Sequence, residues 1–140
     1  MPRPERPESE LRAERYLSRV TLLQSEMTCQ LQHLRALRER YRAGGKEDTV
    51  LILRIRQVRR QAESLQQQLS AVQREVSAAI ARLPDPRVRA MMEMRYLSGL
   101  TWEEIAEALF SSPRAALRMH QRALRQISLL LPIGPAEGQP

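Results

Sequence analysis

Apolar residues recur at spacings of three and four along most of the chain, the period of an amphipathic helix. The longest regular run alternates these spacings over more than four heptads, as in a coiled-coil seam. At 1.5 Å per residue it predicts a single helix roughly 50 Å long. The seam consists of Leu51, Ile55, Val58, Ala62, Leu65, Leu69, Val72, Val76, Ala79 and Leu83.

A second apolar stripe of similar length precedes the seam, and the segment "AGGKED" at 43–48 separates the two. Gly44 and Gly45 are typical of a helix end. Two helices of equal length with a short connection predict an antiparallel coiled-coil hairpin over residues 10–83. Four apolar residues fall off the seam or at its edge: Leu22, Leu31, Ile52 and Leu53. We therefore expect either dimerisation through the hairpin or packing of the C-terminal part against it.

Three shorter helices are predicted over residues 84–131, where "LPDPR" ends the long helix. "TWEE" is a capping box in which Thr101 and Glu104 satisfy free N–H groups at the start of the middle helix. Ser112 is an N-cap and Pro113 suits the first position of a final helix at about 113–131. The layout is that of a helix-turn-helix in an all-α protein. The proline-rich ends, 1–9 and 132–140, are predicted to be disordered.

Composition narrows the class of protein further. The chain has 140 residues, 42% of them hydrophobic, and only 4% aromatic. No apolar run approaches the length of about 20 residues that crosses a bilayer, and the N-terminus lacks the apolar core of a signal peptide. We therefore expect a cytoplasmic protein. The single cysteine, Cys29, lies in the first apolar stripe and is predicted to be a small buried residue.

The net charge of +7 comes almost entirely from arginine, which favours an anionic partner such as nucleic acid. The final predicted helix carries four arginines and no acid, whereas the helix before it holds three glutamates. A helix that enters the major groove of DNA must avoid acids, because each phosphate repels a carboxylate. Arginines 54, 56, 59 and 60 fit either phosphate contact or a solvated flank. The candidate DNA-binding residues are Ser112, Arg114, Ala115, Leu117, Arg118, Gln121, Arg122 and Arg125.

The stretch "YLSGLTWEEIAEALFSSPRAALRMHQRAL" at 96–124 resembles region 4 of sigma-70-type factors. Residues 80–127, which contain "HQRAL" at 120–124, are more similar still to phage and prophage regulators of the ArpU/RinA type. This resemblance implies control of phage late or packaging genes in a bacterial host cell. It also implies double-stranded DNA as a partner, with RNA polymerase docking or a homodimer through the coiled coil.

The chain departs from the family pattern in the turn. The family has glycine where this sequence has Phe110, and an apolar residue where it has Ser111. Phenylalanine is strained at positive φ, so we expect the turn to take a different conformation. Ala115 and Leu117 also replace residues that are polar in the family.

No catalytic constellation is present in the sequence, so we expect neither an enzyme nor a protein with a cofactor or metal site. His33 and His120 have no partner at metal-ligand spacing. An alternative function is a phage assembly or adaptor protein that uses its coiled coil for oligomerisation. A small terminase, which also pairs a helix-turn-helix with helical oligomerisation, is a further alternative.

Overall fold

The computed structural model describes residues 6–131 and confirms the all-α fold class. No β-strand occurs within that range. A π-helical turn, Tyr41–Gly45, joins the first helix to the connection before the second. The helices are α1 (Glu8–Arg40), α2 (Thr49–Ala81), α3 (Pro86–Tyr96), α4 (Trp102–Ala108) and α5 (Pro113–Leu130).

The two predicted disordered ends fall largely outside the described residues, which begin at residue 6 and stop at residue 131. Glu8 and Ser9, assigned from the sequence to the N-terminal segment, belong to α1 instead. The helix begins early because Pro7 offers its carbonyl to the N–H of Glu10, while Glu8 and Glu10 favour the positive end of the helix dipole. At the other end, α5 stops at Leu130 because Leu131 takes the extended conformation that a following proline favours.

The chain divides into two compact units. The first, here called the hairpin unit, is Arg19–Arg74. The second, here called the HTH unit, combines described residues 6–18 with 75–131. The sequence had placed the whole of 10–83 in a hairpin domain of its own. The structure assigns the first turns of α1 and the last turns of α2 to the HTH unit.

Within the hairpin unit, the end of α1 packs against the start of α2. Leu34 and Leu37 form a buried cluster with Leu51 and Val58, and Tyr41 covers its edge. Contact between the last turns of one helix and the first turns of the next makes the pair antiparallel, as predicted. All the seam positions of α2 are buried or half-buried.

The connection between the long helices depends on two glycines. Gly44 has a φ of 134°, which residues with a side chain rarely adopt. A Cβ at Gly45 would lie 2.5 Å from Leu51 Cδ2 and 3.0 Å from the carbonyl oxygen of Arg40. A side chain at position 45 would therefore require the Leu51 side chain to move and would crowd the carbonyl of Arg40.

The prediction that Cys29 is buried is wrong, because its side chain is exposed. It follows Met27, which is buried, by two residues and so by about 200° around the helix. The apolar stripe of α1 is narrower at this point than the sequence suggested. The thiol is accessible for labelling.

The core of the HTH unit consists mostly of aliphatic side chains and methionines. Helices α3, α4 and α5 pack on one another. Each begins with a side-chain cap: Asp85 accepts from the N–H of Arg87 at 2.9 Å, Thr101 and Glu104 form the predicted capping box, and Ser112 caps α5. The fully buried side chains of the unit include Leu17, Ile80, Leu83, Met91, Met92, Ile105, Leu124 and Ile127.

Candidate nucleic-acid interface

Helix α5 separates a buried side from an exposed, basic side. Most of its buried side chains are small or aliphatic, as at Ala116, Ala123 and Ile127, and His120 is also buried. The opposite side holds most of the predicted contact residues, and Arg114, Arg118 and Arg122 have no ion pair within the described residues. The exposed members of the predicted set are Ser112, Arg114, Leu117, Arg118, Gln121, Arg122 and Arg125, while Ala115 is half-buried.

The start of α5 is held by the Ser112 side chain. Its Oγ accepts a hydrogen bond from the N–H of Ala115 at 3.1 Å, so the hydroxyl is engaged as a cap. The helix dipole places partial positive charge at this end, beside the Arg114 guanidinium. The first turn of α5 therefore presents donors and positive charge together.

An open concavity of about 340 Å³ runs along the exposed side of α5. Arg118, Gln121, Arg122 and Arg125 line it, so its walls offer guanidinium and amide groups and no carboxylate. This is the chemistry of a surface that accepts phosphate oxygens or the acceptor edge of a guanine.

Arg125 is tied to the other end of the chain. Its Nε donates to Oε1 of Glu10 at 2.8 Å, across 115 positions of sequence. The Glu10 side chain is only 3% exposed, whereas that of Arg125 is 64% exposed. The pair fixes the guanidinium at the edge of the concavity, and Glu10 depends on it for charge compensation.

Glu10 was not among the site residues predicted from the sequence, although the apolar period of α1 indicated that it is buried. Glu10, Ala13, Leu17 and Val20 follow one another at spacings of three and four, and all four are buried. An acid therefore occupies a position on the buried stripe of α1, and a buried carboxylate requires a partner. The identity of that partner depended on the tertiary fold.

The turn between α4 and α5 was expected to take a different conformation because Phe110 replaces glycine, and this expectation is wrong. Phe110 adopts a φ of 53°, the left-handed region in which glycine is usual. Its N–H donates to the carbonyl of Glu107, and the N–H of Ser111 donates to that of Ala106 at 2.8 Å. This Schellman pattern closes α4 in the way a glycine would, with a phenylalanine in its place. The ring is 97% exposed, so packing within the described residues does not offset the strain.

Behind α5, a buried aromatic cluster joins it to α3 and α4. His120 Nε2 lies 2.5 Å from the hydroxyl of Tyr96, and Trp102 packs edge-on against the imidazole. The Arg95 guanidinium lies over the Trp102 ring at 4.8 Å. Burial lowers the pKa of His120 to about 4, and burial also raises the pKa of Tyr96. His120 is therefore neutral at pH 7 and belongs to the core.

The arginines of α3 serve the fold. Arg87 donates to the carbonyl of Leu109 at the end of α4, and Arg89 donates to the carbonyl of Leu83 at 2.7 Å. Arg95 donates to the carbonyl of Leu100 at 3.1 Å. Each bond satisfies a carbonyl at a helix end or in a connecting loop, where main-chain partners are missing.

Charge is distributed unevenly between the two units. The described part of the HTH unit has eleven cationic and nine acidic residues, a net charge of +2. The hairpin unit has eleven cationic and five acidic residues, a net charge of +6. The basic character read from the composition therefore belongs mostly to the hairpin unit.

Residues 73–127 match the family described as Sigma-70, region 4. The matched segment contains α3, α4 and most of α5, so the fold and the family match agree on a sigma-70 region 4-like helix-turn-helix. Comparisons with curated proteins and with solved structures gave no significant match. The matched segment includes the exposed basic side of α5, which is the candidate nucleic-acid interface.

Within residues 6–131, no helix combines the length and the apolar character that a bilayer crossing requires. Residues 6–131 also contain no group of three or more His, Cys, Asp or Glu side chains arranged to hold a metal ion.

Proposed function

We propose that the chain is a DNA-binding transcription regulator, without enzymatic activity, that places α5 in the major groove. The observation that carries this proposal is the exposed side of α5, where Arg114, Arg118, Gln121 and Arg122 face solvent and no acid interrupts them. Its support is the match of the same segment to sigma-70 region 4. The first turns of α5 read base edges, and later turns contact phosphates.

We further propose that the protein acts in the cytoplasm of a bacterial host, where it controls late or packaging genes of a phage or prophage. The hairpin unit dimerises the protein or docks it onto RNA polymerase. Support for a contact between chains comes from large apolar side chains that the unit leaves exposed, namely Leu22, Leu31 and Leu53. Exposed apolar residues of this size are suited to protein–protein contact.

The test begins with selection of binding sites from random duplex DNA at a stated salt concentration. Replacing both Arg114 and Arg118 with glutamate should weaken binding to the selected duplex about 100-fold or more, because two groove contacts become repulsive. The matched control reverses Arg74 and Arg82, which are also exposed and form no ion pair within the described residues. Circular dichroism establishes that both variants keep their helices. Equal losses from the two double variants would refute the role of α5.

The second candidate is a phage assembly or adaptor protein, or a packaging protein that resembles a small terminase. The exposed hairpin leucines and Phe110 favour it. Light scattering separates the two functions. A dimer supports regulation, whereas a closed ring of about eight or more copies supports packaging. Failure to enrich any DNA site would also favour the adaptor function.

A further inference from the structure

The end of the hairpin unit around its connecting turn carries most of the positive charge of the chain. Residues 35–60 contain nine cationic and three acidic residues, a net charge of +6, and all nine cationic side chains are exposed. Arg59 pairs with Glu63 at 3.8 Å and Arg54 donates to Gln57. Six other arginines have neither an ion pair nor a side-chain hydrogen bond within residues 6–131: Arg35, Arg38, Arg40, Arg42, Arg56 and Arg60.

Most of these arginines lie on one side of the hairpin. At about 100° per residue, Arg35, Arg38 and Arg42 fall on one flank of α1 and its terminal turn. Arg56, Arg59 and Arg60 fall on or next to one flank of α2, measured from buried Leu51 and Val58. Because the two helices run antiparallel, both flanks face the same side. These six residues are called the basic flank below, and Arg40 and Arg54 lie on the opposite side.

We propose that the basic flank is a second DNA-contact surface, which binds the phosphate backbone of a duplex independently of base sequence. The proposal deepens the proposed function, since it rests on DNA as the partner of the HTH unit. Charge complementarity carries it: guanidiniums at this density, five of the six without an ion pair within residues 6–131, repel one another, and a polyanion relieves that repulsion.

The spacing of the flank favours duplex DNA as its occupant. Arginines three or four residues apart on a helix are separated by about 4.5–6 Å along its axis. A duplex offers a phosphate about every 1.7 Å of its axis over both strands, so each guanidinium has an acceptor within reach. Protein interfaces, in contrast, are depleted in charged residues at their core. A chain with two DNA-contact surfaces also gains affinity through effective concentration.

The test compares two double variants of the full-length protein that carry the same net charge. R38Q/R56Q removes two arginines from the basic flank, and R40Q/R54Q removes two from the opposite side. Fluorescence anisotropy measures binding to a labelled 40-base-pair duplex containing the selected site and to a scrambled duplex of equal length. Measurements at several salt concentrations give the slope of log K against log salt.

R38Q/R56Q should weaken binding to both duplexes by about tenfold near 100 mM salt, and should reduce the salt slope by about 1.8, since each phosphate contact contributes about 0.9. The ratio of affinities for the two duplexes should stay that of the wild type. R40Q/R54Q should change affinity less than about threefold, the scale of a general charge effect.

Equal losses in the two variants, or no loss in R38Q/R56Q, would overturn the basic flank as a DNA surface. R114E/R118E separates this proposal from the proposed function. If R114E/R118E keeps its preference for the selected site while R38Q/R56Q loses affinity, α5 is not the reader and the basic flank still stands. If R114E/R118E loses that preference and R38Q/R56Q behaves as the wild type, only the basic flank fails.

Discussion

Several arginine side chains of the HTH unit complete its fold, whereas most arginines near the hairpin turn remain exposed with no ion pair or side-chain hydrogen bond within residues 6–131. Arg87, Arg89 and Arg95 satisfy main-chain carbonyls, and Arg125 compensates a buried carboxylate. The arginines near the hairpin turn have no comparable roles. Arginine therefore contributes to stability where it meets main-chain carbonyls or a buried carboxylate, and to surface charge where it has no such partner.

We therefore expect changes to polar groups of the HTH unit to alter the free energy of unfolding, and matched changes in the hairpin unit to leave it unaltered. Trp102, the only tryptophan of the chain, contacts His120 and so reports unfolding of the HTH unit by fluorescence. Circular dichroism reports on all helices together.

The largest effect expected is that of pH on the HTH unit. Above pH 6.5 His120 is neutral in both the folded and the unfolded chain. Between pH 6.5 and about 4, His120 is protonated in the unfolded chain, whereas the buried imidazole of the folded chain stays neutral. The free energy of unfolding therefore falls as pH falls. The loss should total about 2–3 kcal/mol at pH 4. Urea unfolding followed by Trp102 fluorescence at several pH values measures it.

His120→Gln should remove much of this pH dependence. His33→Gln replaces the other histidine, which lies in the hairpin unit, and is the matched control that should retain it. An unchanged pH profile in His120→Gln would show that another group of the HTH unit is responsible.

A smaller effect is expected from Arg125→Ala, which leaves the Glu10 carboxylate buried without its partner. Because Arg125 itself is largely exposed, the loss should be about 2 kcal/mol, below the usual range for a buried pair. Adding Glu10→Ala should recover part of it, because the unpaired charge is then gone. Arg38→Ala in the hairpin unit should change stability by less than about 0.5 kcal/mol. Additive losses from Glu10→Ala and Arg125→Ala would contradict the pairing.

The smallest effect concerns the strained turn. Phe110→Gly should raise the free energy of unfolding by about 1 kcal/mol, since glycine adopts a φ of 53° without steric cost. Phe110→Ala keeps a Cβ and should gain little, which separates relief of backbone strain from removal of the exposed ring. Thermal unfolding followed at Trp102 measures both variants. A stability gain in Phe110→Ala equal to that in Phe110→Gly would show that the ring, rather than the φ angle, is unfavourable.

Much of the candidate interface was predictable from the sequence. The capping residues Thr101 and Ser112 and the period of α5 place the arginines on one side of that helix, and both signals are local. Arg125 was also predicted to be exposed, but its bond to Glu10 was not, because the two residues are 115 positions apart. The conformation of Phe110 was predicted wrongly, since the hydrogen bonds that close α4 outweigh the preference of a single residue.

The sequence by itself determined the two long helices, the antiparallel turn at the glycines and the helix-turn-helix, because helical period, capping and chain breaks act over a few residues. Only the tertiary structure decided which arginines have partners and which remain open to solvent. It also decided that the first turns of α1 belong to the HTH unit. The physical reason is that a charge acquires its role from the groups brought around it in space, and these come from distant parts of the chain.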